Sequence, residues 1–199
     1  YLRAIISKQL GLVAAAAMPS ISSVYRKPQR LRGALFIAIS QSGRSPDLIA
    51  SSEQAREAGA LTLAIVNDSA SPLASTCEFV LDIAAGPERS VAATKTVLAS
   101  MAAGLALVNA WQPSAIGISA LAALPDRLAE SVSLDWSDLV STLTAVNHIF
   151  TIGRGPALGV ISEAALKLTE TCGIAGLAFS VAELAHGPMA LAGTNFPVL

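Results

Sequence analysis

Residues 34–48 read ALFIAISQSGRSPDL, an apolar run that stops at a serine, turns through Gln41, Ser42 and Gly43, and restarts beside Pro46 in a helical pattern. Ala34 to Ile39 has the length and the β-branched content of a buried strand. Ser40 sits at its end. Ser42, Gly43 and Ser45 supply turn and N-cap chemistry, and Pro46 suits the first turn of a helix, where its missing N–H would have no partner. A helix N-terminus at the carboxyl edge of a parallel sheet offers free backbone N–H groups and a positive dipole end. Serine hydroxyls surround it here, which suits a phosphate. No GK[ST] follows, so this is not the Walker loop of nucleotide triphosphatases. A Ser/Gly strand-to-helix turn is also ordinary chain-reversal chemistry, and both readings stand at this point.

Composition narrows the classes. The 199 residues carry a net charge of −1, with 53% hydrophobic and 14% charged residues. That is enough apolar material for a large core, and no basic stripe exists to neutralise a nucleic-acid backbone. The longest apolar stretch, Val91 to Trp111, is long enough to raise a membrane span. It contains Thr94, Lys95, Thr96, Ser100 and Asn109 and is dominated by alanine, which fits a buried helix in a domain core or subunit interface instead. Two cysteines, Cys77 and Cys172, show no metal-ligand spacing and no disulfide framework, so a reducing cytoplasm is expected. The chain opens on Tyr1 and closes on the apolar run Phe196–Leu199, which resembles an unfinished strand; both ends are expected to lack sequence.

Strands and helices alternate along the chain. A helix is expected over Tyr1 to Gln9, a strand over Leu12 to Ala17, a helix from about Asp47 to a close at Ala58 and Gly59, and a strand over Leu61 to Val66. A short helix Pro72 to Thr76, a strand Phe79 to Ile83 and helices over Val91–Trp111 and Ala115–Ser131 follow. Such alternation predicts mainly parallel sheets. From Trp136 the pattern restarts: a helix Ser137–Val146, a strand His148–Ile152, a turn through Gly153, Arg154, Gly155 and Pro156, and a helix Leu158–Thr171. FIAISQSGRSP and IFTIGRGPALG align as strand, small-residue turn and helix, Phe36 and Ile149 being 113 positions apart. This weak repeat predicts two similar α/β units, residues 1–131 and 132–199. The second turn, GxGxxxG, is one residue off the dinucleotide fingerprint and lacks the acidic residue expected after a second strand, so a nicotinamide cofactor is disfavoured.

Proton chemistry has few candidates. Glu163, Lys167 and Glu170 are spaced four and three apart and share one helix face. That pattern describes an ion-paired surface stripe equally well, but the chain is otherwise poor in charge, and SVAELAHGPMAL follows with His186 held before Gly187 and Pro188. A histidine in a Gly-Pro turn is fixed yet reachable, as a proton shuttle near neutral pH must be. Glu170 and Glu183 both qualify as bases, while His148 opens a strand and reads as structural. A phosphate cradle with a carboxylate and a histidine, without metal or nucleotide cofactor, suits proton transfer between adjacent carbons of a sugar phosphate.

The motifs SQSGRSPD, ERSVAATKT, EAALKLTE and SVAELAHGP, in that order, resemble the double sugar isomerase (SIS) domain proteins. These comprise the isomerase half of glutamine:fructose-6-phosphate aminotransferase and its relatives without a glutaminase. The resemblance runs from about Leu12 to the end. It implies an α/β fold of two SIS units, each a mainly parallel sheet flanked by helices in a doubly wound, flavodoxin-like three-layer sandwich. It implies that Ser40, Gln41, Ser42 and Ser45 bind a sugar phosphate and that the backbone at Val91 and Ala93 approaches the sugar. Glu170 falls on the family's base for C1/C2 proton transfer, with Lys167 one turn earlier. His186 falls on the ring-opening histidine, which acts from the neighbouring subunit, so an obligate homodimer is implied and Glu183 becomes a supporting residue.

Nothing here resembles a glutaminase, and Arg44, Pro46 and PERSVAATK look closer to the glutaminase-free deaminases and ketose/aldose isomerases. The Gly/Ser/Thr loop expected before Tyr1 and a C-terminal Schiff-base lysine are not in this sequence. The expectation is a glucosamine-6-phosphate deaminase or isomerase acting on a hexose or hexosamine 6-phosphate, with no nucleic-acid or membrane partner. The rival is a phosphosugar sensor without turnover.

Overall fold

Short apolar runs alternating with helices produce an α/β fold with parallel sheets flanked by helices. The computed structural model describes residues 1–193 and 195–199. In chain order the elements are α1 (Leu2–Leu10), α2 (Pro19–Ser23), β1 (Leu35–Ser40), α3 (Pro46–Glu57), β2 (Leu61–Val66), α4 (Pro72–Thr76), β3 (Phe79–Asp82) and α5 (Lys95–Trp111). They continue with α6 (Ala115–Val132), α7 (Ser137–Thr144), β4 (His148–Gly153), α8 (Pro156–Cys172), β5 (Ala175–Ser180), α9 (Val181–Ala185) and a 3-10 turn at Pro188–Leu191. Two compact units form, one of residues 15–107 and one of residues 1–14 with 108–199. The division falls inside α5, whereas the sequence repeat suggested a limit after residue 131.

In unit 15–107 the strands lie in the order β1-β2-β3, all parallel. Central β2 is buried from Thr62 onward because it has a strand on each side, as its unbroken apolar run requires. Ala38, Ala64, Val66, Leu73, Ala74 and Cys77 form the core, with Phe36, Leu48 and Ile49 packed against it. Helix α3 turns Ser51 and Ser52 inward, and their hydroxyls donate to the carbonyls of Asp47 and Leu48 at 2.7 and 2.8 Å, so neither of these two hydroxyls is left unpaired. Ser40 is in register with Val66, and Val66 with Asp82. The three strands therefore end level, and the loops after them leave from one carboxyl edge.

In unit 1–14 with 108–199, β4 pairs in parallel with β5, and on its other side with the chain end. Phe150 N–H donates to the Pro197 carbonyl at 2.9 Å and Leu199 N–H to the Phe150 carbonyl at 2.8 Å, so the closing apolar run lies against β4 through an isolated bridge. Phe150, fully buried, stacks on Phe196 at 4.2 Å and meets Phe179 edge-on at 5.7 Å. His148 opens β4, is exposed, and its ring centroid lies 5.2 Å from that of Phe196.

Two expectations need correction, and one strand was not expected at all. Leu12–Ala17 is not a strand; the segment is irregular and Val13 is fully exposed, because among the described residues no strand pairs with it. The long helix starts at Lys95 and not Val91, since a carboxylate described below takes the N–H groups of Thr94 and Thr96. Strand β5, AGLAFS, escaped notice because its composition is small: a Cβ on Gly176 would lie 2.6 Å from the Ala165 carbonyl oxygen, so α8 packs directly on its backbone. Among the described residues no helix is long and apolar enough to cross a membrane.

Candidate functional site

The serine turn is organised by its own side chains. Gly43 N–H donates to Ser40 Oγ at 3.0 Å, and Arg44 N–H to Ser42 Oγ at 3.3 Å. In both bonds the hydroxyl accepts, which leaves its own proton to donate outward. Gly43 has φ +62° and is buried, and a Cβ there would overlap the side chain of Ser71. Only glycine fits, on both conformational and steric grounds. Its carbonyl accepts from Leu73 N–H at 3.0 Å, tying the turn to α4. Arg44 reaches Asp68 at 3.1 Å, an exposed pair worth at most about 1 kcal/mol. Gln41 is exposed and Ser45 half-buried.

Among the described residues serine is the N-cap residue of four helices, and its use differs among them. Ser71 accepts from Ala74 N–H, Ser114 from Gly117 N–H, and Ser180 from Glu183 N–H. Ser45, at the start of α3, makes no side-chain capping bond. The first turn of α3 therefore keeps N–H groups that a serine side chain satisfies elsewhere.

The segment after β3 forms the second feature of this unit. Asn67 pins it, donating from Nδ2 to the Gly86 carbonyl at 2.8 Å and accepting at Oδ1 from Ala85 N–H at 2.9 Å. Beyond it lies an open depression of about 430 Å³ lined by Pro87, Glu88, Arg89, Ser90, Thr94 and Lys95. Val91 and Ala93 belong to the same loop; Val91 is fully exposed. Sequence reasoning passed over Glu88, although it stands within the ERSVAATKT motif. Its Oε2 accepts from Thr94 N–H (3.2 Å), Thr96 N–H (3.1 Å) and Thr96 Oγ1 (2.9 Å). These bonds, the Thr96 backbone first, hold its carboxyl below the usual carboxylate range.

In the other unit, α8 brings Glu163, Lys167 and Glu170 together as the spacing requires. Lys167 Nζ lies 2.8 Å from Glu170 Oε2 and 3.1 Å from Glu163 Oε1. Only the first contact is a well-aligned hydrogen bond: Glu163 Oε1 is buried and receives no hydrogen bond despite the short distance. The bond to Glu170 is the main cause that raises the Lys167 pKa, which keeps the ammonium charged. Glu183 is removed from the list of bases. It forms a capping box with Ser180, accepting from Ser180 N–H at 2.9 Å, and the hydrogen bonds from Ser180 lower its pKa.

His186 follows α9 as its C-cap and is exposed. Glu170 stands in the last turn of α8, beside the start of β5, where Thr169 Oγ1 accepts from Gly176 N–H at 3.2 Å. Helix α9 begins where β5 ends, so a six-residue strand, about 20 Å long, separates the two elements along the chain. In the glycine-rich turn, Gly155 has φ +58° with open space around it, and Gly153 lets α8 approach, a Cβ there falling 3.0 Å from Ile161 Cγ1. Turn geometry and packing account for these glycines. Among the described residues no group of acidic, histidine and cysteine side chains is arranged to hold a metal.

Comparison with known proteins follows this geometry. The family model described as the SIS domain matches residues 10–110. The chain is 36% identical over 188 residues to glutamine–fructose-6-phosphate aminotransferase (isomerizing) of Symbiobacterium thermophilum, covering 88% of this chain and 30% of that protein. The Mycobacterium leprae enzyme of the same name is 37% identical over 186 residues, with the same coverage. Among solved structures, a Silicibacter pomeroyi protein assigned as a phosphosugar isomerase superposes with a TM-score of 0.94 at 44% identity, covering 100% of this chain and 61% of that one. The C-terminal domain of glucosamine-fructose-6-phosphate aminotransferase from Francisella tularensis gives 0.87 at 26% identity, covering 99% and 58%.

The chain thus spans 30% of the length of these curated relatives. The family match is to one SIS unit, which corrects the expectation of two. Residues 148–180 repeat the strand–turn–helix–strand order of residues 35–66, and it was this order that the internal alignment detected.

Proposed function

The chain belongs to the SIS domain family, and from that premise we propose that it is part of an enzyme acting on a hexose or hexosamine 6-phosphate, as a glucosamine-6-phosphate deaminase or a ketose/aldose isomerase. The observation that carries this reading is the start of α3, where Ser45 leaves the helix uncapped while Ser71, Ser114 and Ser180 cap theirs. Free N–H groups, a positive dipole end and the protons of Ser40 and Ser42 there suit a phosphate dianion. Ser40, Gln41, Ser42 and Ser45 anchor the substrate, and the backbone at Val91 and Ala93 meets the sugar.

Glu170 is the base. Its carboxylate takes the proton from the carbon next to the carbonyl or imine, and the C–H electron pair becomes the enediol or enolamine double bond while the carbonyl oxygen or imine nitrogen takes up a proton. The proton held by Glu170 then returns to the neighbouring carbon; in a deaminase, water then hydrolyses the resulting ketimine and ammonia leaves. Lys167, hydrogen-bonded to Glu170, holds that carboxylate in place and offers a compensating charge. His186 opens the sugar ring, acting from the second subunit of a homodimer; the strand length that separates it from Glu170 along the chain supports this assignment. No step requires a metal or nucleotide.

The full-length protein is tested by following ammonia and ketose 6-phosphate after addition of glucosamine 6-phosphate. Turnover that falls about 10²- to 10⁴-fold in Glu170→Gln is expected; unchanged turnover removes Glu170 as the base. Mixed dimers of His186→Ala and Glu170→Gln should regain partial activity, and a demonstrated heterodimer that regains none counts against a shared site. One observation favours a second reading, a phosphosugar sensor: Lys167 is already engaged by carboxylates on either side, as in an inert ion-paired helix face. A ligand-dependent thermal shift without turnover would support it.

A further inference from the structure

We propose that Glu88 is a positioning residue for the sugar-contact loop: its carboxylate fastens residues 88–96 into one closed loop and holds the backbone at Val91 and Ala93 in the conformation that meets a sugar. The inference rests on the phosphosugar reading and deepens it. The segment between β3 and α5 has no regular structure of its own, so its shape depends on side-chain anchors. Two exist. Asn67 fixes the near end at Ala85 and Gly86, and Glu88 fixes the far end through three hydrogen bonds to Thr94 and Thr96. Bonds to an ionised acceptor are the stronger kind, and three on one oxygen define its position closely.

Thr96 is 2% exposed, so the loop is fastened to a buried point of the first turn of α5 and not to a mobile surface group. Val91 and Ala93 lie between the two ends of this bridge, beside the depression that Arg89, Ser90 and Lys95 help to line.

Glu88 also occupies one of the helix starts of this unit. It places a carboxylate on the N–H groups at the beginning of α5, where the dipole end would otherwise attract a phosphate. Helix α4 is closed by Ser71, and α3 is open. Of these three helix starts, only that of α3, at the serine turn, is left open to a phosphate, and the loop held by Glu88 is left to the sugar.

The test uses full-length protein and Glu88→Ala, Glu88→Gln and Thr96→Val, with two measurements. Amide hydrogen exchange is followed over residues 87–97, and calorimetric titration is run with glucosamine 6-phosphate, fructose 6-phosphate and inorganic phosphate. In Glu88→Ala, exchange of this segment is expected to rise at least tenfold with the sheet unaffected. Affinity for the sugar phosphates should fall about tenfold while affinity for inorganic phosphate changes less than twofold. Glu88→Gln keeps an acceptor oxygen and should recover most of both, with Thr96→Val intermediate.

Unchanged exchange in Glu88→Ala overturns the proposal, as does raised exchange with unchanged sugar-phosphate affinity. An equal loss of phosphate and sugar-phosphate affinity also overturns it, since that reports general damage. If Glu88→Ala does not fold, Glu88→Gln and Thr96→Val decide the matter by the same readouts. Failure of the unaltered protein to bind either sugar phosphate overturns the phosphosugar reading instead, and exchange still decides whether Glu88 holds the loop.

Discussion

Ser45–Pro46 and Ser71–Pro72 are the same dipeptide at the start of two helices of one unit, at loops leaving the same sheet edge, and they do different work. Ser71 is fully buried and caps α4, accepting from Ala74 N–H at 3.3 Å. Ser45 is half-buried and caps nothing. The difference comes from what surrounds each serine. The space above Gly43, where other residues carry a Cβ, is filled by the Ser71 side chain, and the Gly43 carbonyl takes Leu73 N–H. The capped helix start is the buttress of the uncapped one. A helix terminus is thus free for a ligand not because of its own two residues, but because a neighbouring turn holds it from behind.

The largest effect that can break this comparison is expected from Gly43→Ala. The new methyl group meets Ser71 in a backbone conformation that disfavours it, so unfolding by urea should show a loss of about 3 kcal/mol, along with lost phosphate binding. Stability within 0.5 kcal/mol of the unaltered protein would dismiss the buttress. Ser45→Ala should do the reverse. No capping bond is lost, so stability should move by less than about 0.5 kcal/mol, while affinity for a sugar phosphate, measured by calorimetry, should fall roughly tenfold. A clear drop in stability with unchanged affinity would make Ser45 an ordinary cap.

Ser71→Ala removes a cap and should cost about 1 kcal/mol in the same urea experiment. The smallest effect belongs to the fourth serine cap, Ser180, whose partner Glu183 has a lowered pKa in the folded protein. A depressed carboxyl contributes stability above its unfolded pKa, and that contribution is lost as pH falls through the folded value. Thermal stability of the unaltered protein should therefore drop more than that of Glu183→Gln between about pH 5 and pH 3, where model carboxyls titrate. Parallel curves would show that the capping box contributes nothing.

Much of this architecture was legible in the chain. Pro72–Thr76 and Leu61–Val66 are elements with the limits their residues suggested, because a serine-proline start and a strand-length, mainly apolar run bounded by turn residues are strong local signals. The Glu163, Lys167 and Glu170 row was legible too, since helical periodicity alone brings those side chains together. Strand β5 was hidden because its small residues answer to the approach of α8, a tertiary demand without a propensity signal. LVAAAA at residues 12–17 misled in the opposite sense, since apolar composition makes a strand only where a partner strand exists.

The sequence by itself determined the alternation of strands and helices, the serine turn at the end of β1, the shared face of α8 and the kinship with SIS domain proteins. These follow from periodicity, turn chemistry and motif order, which are properties of neighbours along the chain. Only the tertiary structure decided which of the two serine-proline starts is capped and which stays open, and that Glu88 ties the loop after β3 to α5. Each depends on hydrogen bonds and steric limits between groups whose meeting is set by folding, and no local pattern of residue types records which of several chemically similar groups finds a partner.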